Sequence, residues 1–116
     1  MKKIYFLIAL AALAVIAVAW QVASSQKSSP ALDSFAQCLA DKGAVMYGAK
    51  WCSHCQNQKK LFGKSFRLIT YVECPDNIEL CLSKDIQNYP TWIINNKKYE
   101  GEQSLSRLGE ASGCQK

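Results

Sequence analysis

The chain opens with Met1-Lys2-Lys3 and then an unbroken apolar run from Ile4 to Trp20, extended by Val22 and Ala23. A run of this length lies at the lower end of what crosses a bilayer as a helix. The two lysines hold the N-terminus on the cytoplasmic side, and Trp20 suits the outer interface. The pattern predicts a single-pass cell-membrane anchor over residues 1–23, with the remainder extracytoplasmic, either periplasmic or extracellular. Ala17-Val18-Ala19 also fits the small residues of a cleavage site, so secretion after signal cleavage is the alternative. Residues 24–31 are polar and read as a linker. Residues 32–116 read as one small domain.

Beyond the linker the period of the apolar positions changes several times. Ser29 before Pro30 makes a helix start, with serine capping and proline in the first position. Leu32, Phe35, Ala36 and Leu39 recur at helical spacing until Gly43 stops the helix. Ala44 to Gly48 is short, apolar and suited to a buried strand. Cys52 to Phe62 reads as a helix ended by Gly63, and Arg67 to Glu73 as a second strand. Cys74-Pro75-Asp76-Asn77 turns into a short helix over Ile78 to Lys84. Thr91 to Ile94 and Lys97 to Glu100 are two further strands, joined by an Asn95-Asn96 turn that tolerates positive φ. Ser104 to Ala111 closes the pattern as a helix stopped near Gly113. From Ala44 the order is β-α-β-α-β-β-α. Strands joined by a helix favour parallel pairing, and the last two form an antiparallel hairpin.

Charge removes one class of function. The net charge of +5 falls to about +3 without Lys2 and Lys3, and nine acids are scattered among the basic residues. A nucleic-acid footprint would cluster. Cysteine usage adds more. All six cysteines lie at or beyond Cys38, so none stands at the end of the apolar run to accept lipid. The domain of roughly 90 residues buries a core of marginal size, where covalent staples help. An even cysteine count behind an export signal points to an oxidising compartment.

The chemistry centres on Cys52-Ser53-His54-Cys55, where a buried strand meets a helix. Thiol–disulfide exchange needs a thiolate that attacks and a second thiol that resolves the mixed disulfide. A first helical turn with two intervening residues brings the sulfurs together, and the helix N-terminus stabilises the Cys52 anion. His54, the single histidine, can favour that thiolate by charge or hydrogen bonding, which makes the disulfide a stronger oxidant. A Cys-x-x-Cys alone is also compatible with a structural disulfide or half a zinc site, completed by Cys74 and Cys81. A purely structural tethered domain is a further alternative. Trp51, taken alone, reads as a core aromatic.

Trp51-Cys52 followed later by Tyr89-Pro90-Thr91 resembles the thioredoxin superfamily. The resemblance implies a thioredoxin-like β-α-β-α-β-β-α sandwich with an extra N-terminal helix, a cis Pro90, and a Tyr89 backbone that pairs with substrate beside Cys52. Trp51, Tyr89, Pro90 and Thr91 are then the substrate-binding residues. Met46-Tyr47-Gly48-Ala49, His54-Cys55-Gln56, Gln58-Lys59, Leu61-Phe62-Gly63, Tyr71-Val72-Glu73-Cys74 and Tyr89-Pro90-Thr91-Trp92 narrow the match. Together they are similar to the thioredoxin-like domain associated with bacterial vitamin K epoxide reductase homologues. Those domains pass disulfides from a quinone-linked membrane enzyme to secreted proteins. The implied function is a thiol–disulfide oxidoreductase, an oxidase with a reductase or isomerase as alternative, using no cofactor beyond the Cys52–Cys55 disulfide. Its implied partners are secreted or extracytoplasmic clients and a separate membrane enzyme of that type, with the N-terminal helix in the membrane and no nucleic acid. Ser53 stands where the subgroup commonly has proline. Met46 stands where many thioredoxins bury an acid, with Glu73 a candidate substitute. The resemblance also pairs Cys74 with Cys81. Cys38 and Cys114 are either free or close a loop of about 76 residues, worth on the order of 4 kcal/mol in the chain-entropy model.

Overall fold

The computed structural model describes residues 1–23 and 29–116, so the part of the linker at 24–28 lies outside the described residues. Helix α1 runs from Lys2 to Ala23. Its apolar stretch of 19 residues, Lys2–Trp20, is about 28 Å long at 1.5 Å per residue, close to the thickness of a hydrocarbon core. A signal sequence shares that property.

Helix α2 spans Pro30–Asp41. Pro30 and Ala31, which composition places in the linker, are therefore its first residues. Ser29 occupies the N-cap with extended backbone, but its side chain makes no capping bond; its carbonyl accepts the Asp33 N–H at 2.9 Å. Asp33 in the first turn accepts two bonds from the Arg67 guanidinium and one from the Ser65 hydroxyl. These bonds, the Arg67 one foremost, hold the Asp33 carboxyl down to a pKa of about 2.

The sheet has the strand order β2-β1-β3-β4. Central β1 (Val45–Gly48) pairs in parallel with β2 (Thr70–Glu73), Met46 opposite Tyr71 and Gly48 opposite Glu73. On its other side β1 runs antiparallel to β3 (Thr91–Ile94), Met46 facing Trp92. The β3–β4 hairpin (β4 at Lys97–Glu100) turns on Asn95 and Asn96, both at positive φ. A parallel β1–β2 pair needs a crossover, which α3 (Ser53–Phe62) and a 3-10 turn over Gly63–Leu68 supply. Arg67 and Leu68 lie in that turn and not in the second strand. The bonds from Arg67 to Asp33 and to the Lys64 carbonyl hold them there, and extended pairing begins only at Thr70. Short α4 (Ile78–Ser83) follows β2, and α5 (Leu105–Ser112) closes the domain, capped by the Ser104 hydroxyl.

The two faces of the sheet pack separately because successive strand residues point to opposite sides. Met46, Trp92 and Ile94 meet Phe35, Leu39, Phe62 and Leu108 in the main core. The Phe62 ring lies about 6 Å from those of Phe35 and Trp92. Tyr47 on the other face joins Ile86 and the Cys74–Cys81 disulfide. A second disulfide, Cys38–Cys114, ties α2 to the segment after α5. Cys74 and Cys81, the sulfurs a zinc reading would add to Cys52 and Cys55, are thus bonded to each other.

Candidate active site

Strand β1 ends at Gly48, and Ala49 to Trp51 carry the chain to the start of α3. Cys52 is the N-cap residue, and its sulfur accepts the Cys55 N–H at 3.2 Å. One of the open N–H groups of a helix start is therefore satisfied by the thiol itself. The Cys52 thiol also points to the Tyr89 carbonyl at 3.7 Å. The Tyr89–Pro90 peptide bond is cis. The Thr91 hydroxyl donates to the Asn88 carbonyl at 2.7 Å. Thr91 and Pro90 are buried, so they shape this loop from behind instead of offering surface. Trp51 lies outside the core, 73% exposed, with its ring edge-on to Tyr89 at 6.0 Å. The surface beside Cys52 is consequently made by the exposed Trp51 and the half-buried Tyr89.

Cys55 sits one turn into α3 and is fully buried. Burial pushes its thiol up to about 12, helped by the hydrogen bond and charge of Cys52, while the Ala49 backbone and the Lys59 charge act against the rise. Close approach explains Gly48. A Cβ there would lie 2.8 Å from the Cys55 sulfur, closer than real contacts allow, and 3.3 Å from the Tyr71 ring, tighter than most. Glycine inside a strand often marks such an approach, and Gly48 is the sequence signal for it.

Behind the pair, the Tyr71 hydroxyl donates to Glu73 at 2.6 Å, and Glu73 also accepts the Lys50 N–H at 2.8 Å. Burial raises the Tyr71 pKa, with the Glu73 bond adding to the effect. Burial also pulls Glu73 upward, but the bonds from Tyr71 and Lys50 and the Lys50 and Lys59 charges leave it below its ordinary value. Lys59 Nζ stands 4.0 Å over the Tyr71 ring. Glu73, the candidate substitute for the acid that Met46 does not supply, is half-buried and held by Tyr71 and Lys50, and it is bonded to neither sulfur.

His54 points elsewhere. Its side chain is 70% exposed, and Nδ1 lies 2.6 Å from Glu102 Oε1. Among the described residues, the hydrogen-bond partners of the Cys52 sulfur are Cys55 N–H and the Tyr89 carbonyl. Asn57 donates to the same Glu102 oxygen at 3.1 Å, and these bonds, the His54 one foremost, lower the Glu102 pKa. Glu102 escaped the sequence reading because an acid in a polar loop looks like ordinary surface.

No protein-family model matches the chain. The thiol-disulfide oxidoreductase LTO1 of Arabidopsis thaliana is 43% identical over 98 residues, covering 77% of this chain and 26% of that protein. The protein disulfide isomerase-like 2-2 of Oryza sativa subsp. japonica is 32% identical over 85 residues, covering 60% of this chain and 23% of that protein. The chain therefore spans about a quarter of the length of these curated relatives. Among solved structures, Fasciola hepatica thioredoxin is 19% identical at a TM-score of 0.45, over 60% of this chain and 76% of that one. The sheet order, the dithiol at the β1–α3 junction and the sequence relatives agree: the chain carries a thioredoxin-like domain, similar to part of plant thiol–disulfide oxidoreductases.

Proposed function

We propose that this chain is a membrane-anchored, extracytoplasmic thiol–disulfide oxidoreductase that exchanges disulfides with secreted proteins through Cys52 and Cys55. It acts as an oxidase regenerated by a quinone-linked membrane enzyme similar to bacterial vitamin K epoxide reductase homologues. The observation that carries the reading is the placement of the Cys52 sulfur. It lies at the N-cap of α3, beside the exposed Trp51 ring and facing the Tyr89 carbonyl. A helix start favours the thiolate, and Trp51 and Tyr89 offer a client an apolar edge.

The exchange follows from that asymmetry. A client thiolate attacks Cys52 in the oxidised pair, the Cys52–Cys55 bond breaks, and Cys55 leaves with the electron pair and takes a proton. A second client thiolate attacks the client sulfur of the mixed disulfide, and Cys52 departs as thiolate. Two electrons have then passed to the chain. Regeneration reverses the roles: Cys52 attacks a disulfide of the partner, and Cys55 gives up its proton and resolves the intermediate. A thiol pushed up to about 12 keeps its proton until that attack, which suits the second sulfur and not the first.

Changing Cys55 to Ala is expected to trap covalent complexes of Cys52 with the membrane oxidant or with client disulfides. Changing Cys52 to Ala abolishes exchange without trapping. Full exchange activity in the Cys52 variant, read by refolding of a reduced client, sinks the mechanism. Equilibration with glutathione decides the direction, since strong oxidants lie near about −120 mV and reductants near about −270 mV. For the anchor, the full-length chain is expected to resist carbonate extraction while an impermeant thiol reagent reaches Cys52 in intact cells. Recovery of only a soluble form beginning near Trp20 shows cleavage instead.

A further inference from the structure

We propose that Glu102 is a positioning residue of the dithiol: it holds the His54 imidazole at the α3 start and offsets its charge, so that the Cys52 thiolate is stabilised less than by an unrestrained imidazolium. The inference rests on the reading of Cys52 and Cys55 as the redox pair, and goes beyond it by naming what sets their poise.

Two side chains from the first turns of α3, His54 and Asn57, converge on one oxygen of Glu102, at 2.6 and 3.1 Å. Glu102 comes from the loop between β4 and α5, distant in sequence, and that loop is fixed from beneath. Gln58, fully buried, donates to the Gln103 carbonyl at 3.0 Å and accepts the Gln103 N–H at 2.6 Å. The Gln103 amide in turn donates to the Glu100 and Gly101 carbonyls. A buried amide bonded at both ends to the residue next to Glu102 makes its place a built one, unlike that of a free surface acid.

The sign of the effect does not depend on the protonation of His54. With Glu102 ionised, the pair carries no net charge when the imidazole is protonated and one negative charge when it is neutral. Without Glu102 the same site carries one positive charge or none. Removal of the acid therefore makes the surroundings of Cys52 more positive in either state, and it also frees the ring to approach the sulfur. The other charged groups named about the dithiol do not change: Glu73 is bonded to Tyr71, Lys59 stands over the Tyr71 ring, and the Lys50 and Lys59 charges act on Glu73. Glu102 is 36% exposed, so screening by solvent keeps the direct charge effect small. The release of the ring is the larger part.

The test compares the full chain with Glu102→Ala, His54→Asn and the double variant. Glu102→Ala is expected to shift the dithiol equilibrium towards the reduced form by roughly threefold, about 14 mV more oxidising for a two-electron couple. Alkylation of Cys52 at mildly acidic pH should be faster, and the bonded Nδ1 signal of His54 in nitrogen NMR should be lost. In the His54→Asn background the same Glu102 change should have a clearly smaller effect. An unchanged potential and alkylation rate in Glu102→Ala overturns the proposal. Equal effects in both backgrounds overturn it too, since Glu102 would then act on the sulfur directly and not through His54. A wild-type dithiol that does not cycle reversibly with glutathione would refute the redox function itself, and this role with it.

Discussion

The cysteines of this domain fall into two regions that burial does not tell apart. Cys52 and Cys55 are 7% and 0% exposed, and Cys74, Cys81 and Cys114 are 2%, 4% and 6%. Position and neighbours separate them. Cys52 caps a helix, with its sulfur against the Cys55 N–H and the Tyr89 carbonyl, beside the exposed Trp51 and the half-buried Tyr89 ring. The bonded pairs join elements that would otherwise rely on a small core: Cys38–Cys114 ties α2 to the segment after α5, and Cys74–Cys81 ties the end of β2 to α4. On the proposed function, the same side chain is reactive or structural according to the backbone that presents it.

If that division holds, removal of the staples should cost stability and leave exchange intact. The largest effect is expected for Cys38→Ser with Cys114→Ser, because the bond spans 76 residues. The chain-entropy model gives about 4.5 kcal/mol for such a loop. Cys74→Ser with Cys81→Ser opens a separation of 7, for which the same relation gives about 2.5 kcal/mol. Urea melts of both variants, with exchange activity measured well below the transition, check the order. Loss of exchange in a folded staple variant, or a greater loss of stability from the shorter loop, would remove the distinction.

The parts legible in sequence were those with local signals. The strand–helix junction at Cys52, the Gly63 stop and the Asn95-Asn96 hairpin are each announced within a few residues, and the structure has them. The 3-10 turn over Gly63–Leu68 was not legible, because Leu68, Ile69 and Tyr71 look like a continuous strand and the bond that holds Arg67 comes from Asp33, thirty-odd residues earlier. Glu102 was hidden for the same reason. Its partners His54 and Asn57, and the Gln58 amide that fixes its loop, lie on α3, while nothing in Gly101-Glu102-Gln103 marks it. Trp51 read alone suits the core, since an aromatic before a helix gives no sign of its exposure, but the structure leaves it on the surface. Side chains that act across elements are set by the fold, and only the fold reveals them.

The smallest expected effect on stability reaches the dithiol without touching a staple. Gly48 has no side chain where the Cys55 sulfur and the Tyr71 ring pack over β1, and its Cβ would stand 2.8 Å from that sulfur. Gly48→Ala must therefore displace the Cys55 side chain, at a cost of about 1–2 kcal/mol for one extra methyl in a packed site. The atoms nearest to that Cβ belong to Cys55 and Tyr71 and not to Cys52, so first attack on a small disulfide should proceed nearly as in the wild type. Resolution by Cys55 depends on the distance between the two sulfurs and should slow severalfold. Stopped-flow measurement of mixed-disulfide formation and decay separates the two steps. A variant that slows both equally, or neither, would mean that Gly48 does not set the place of the second sulfur. A slowed second step alone would show that the strand holds the resolving cysteine as firmly as the helix presents the attacking one.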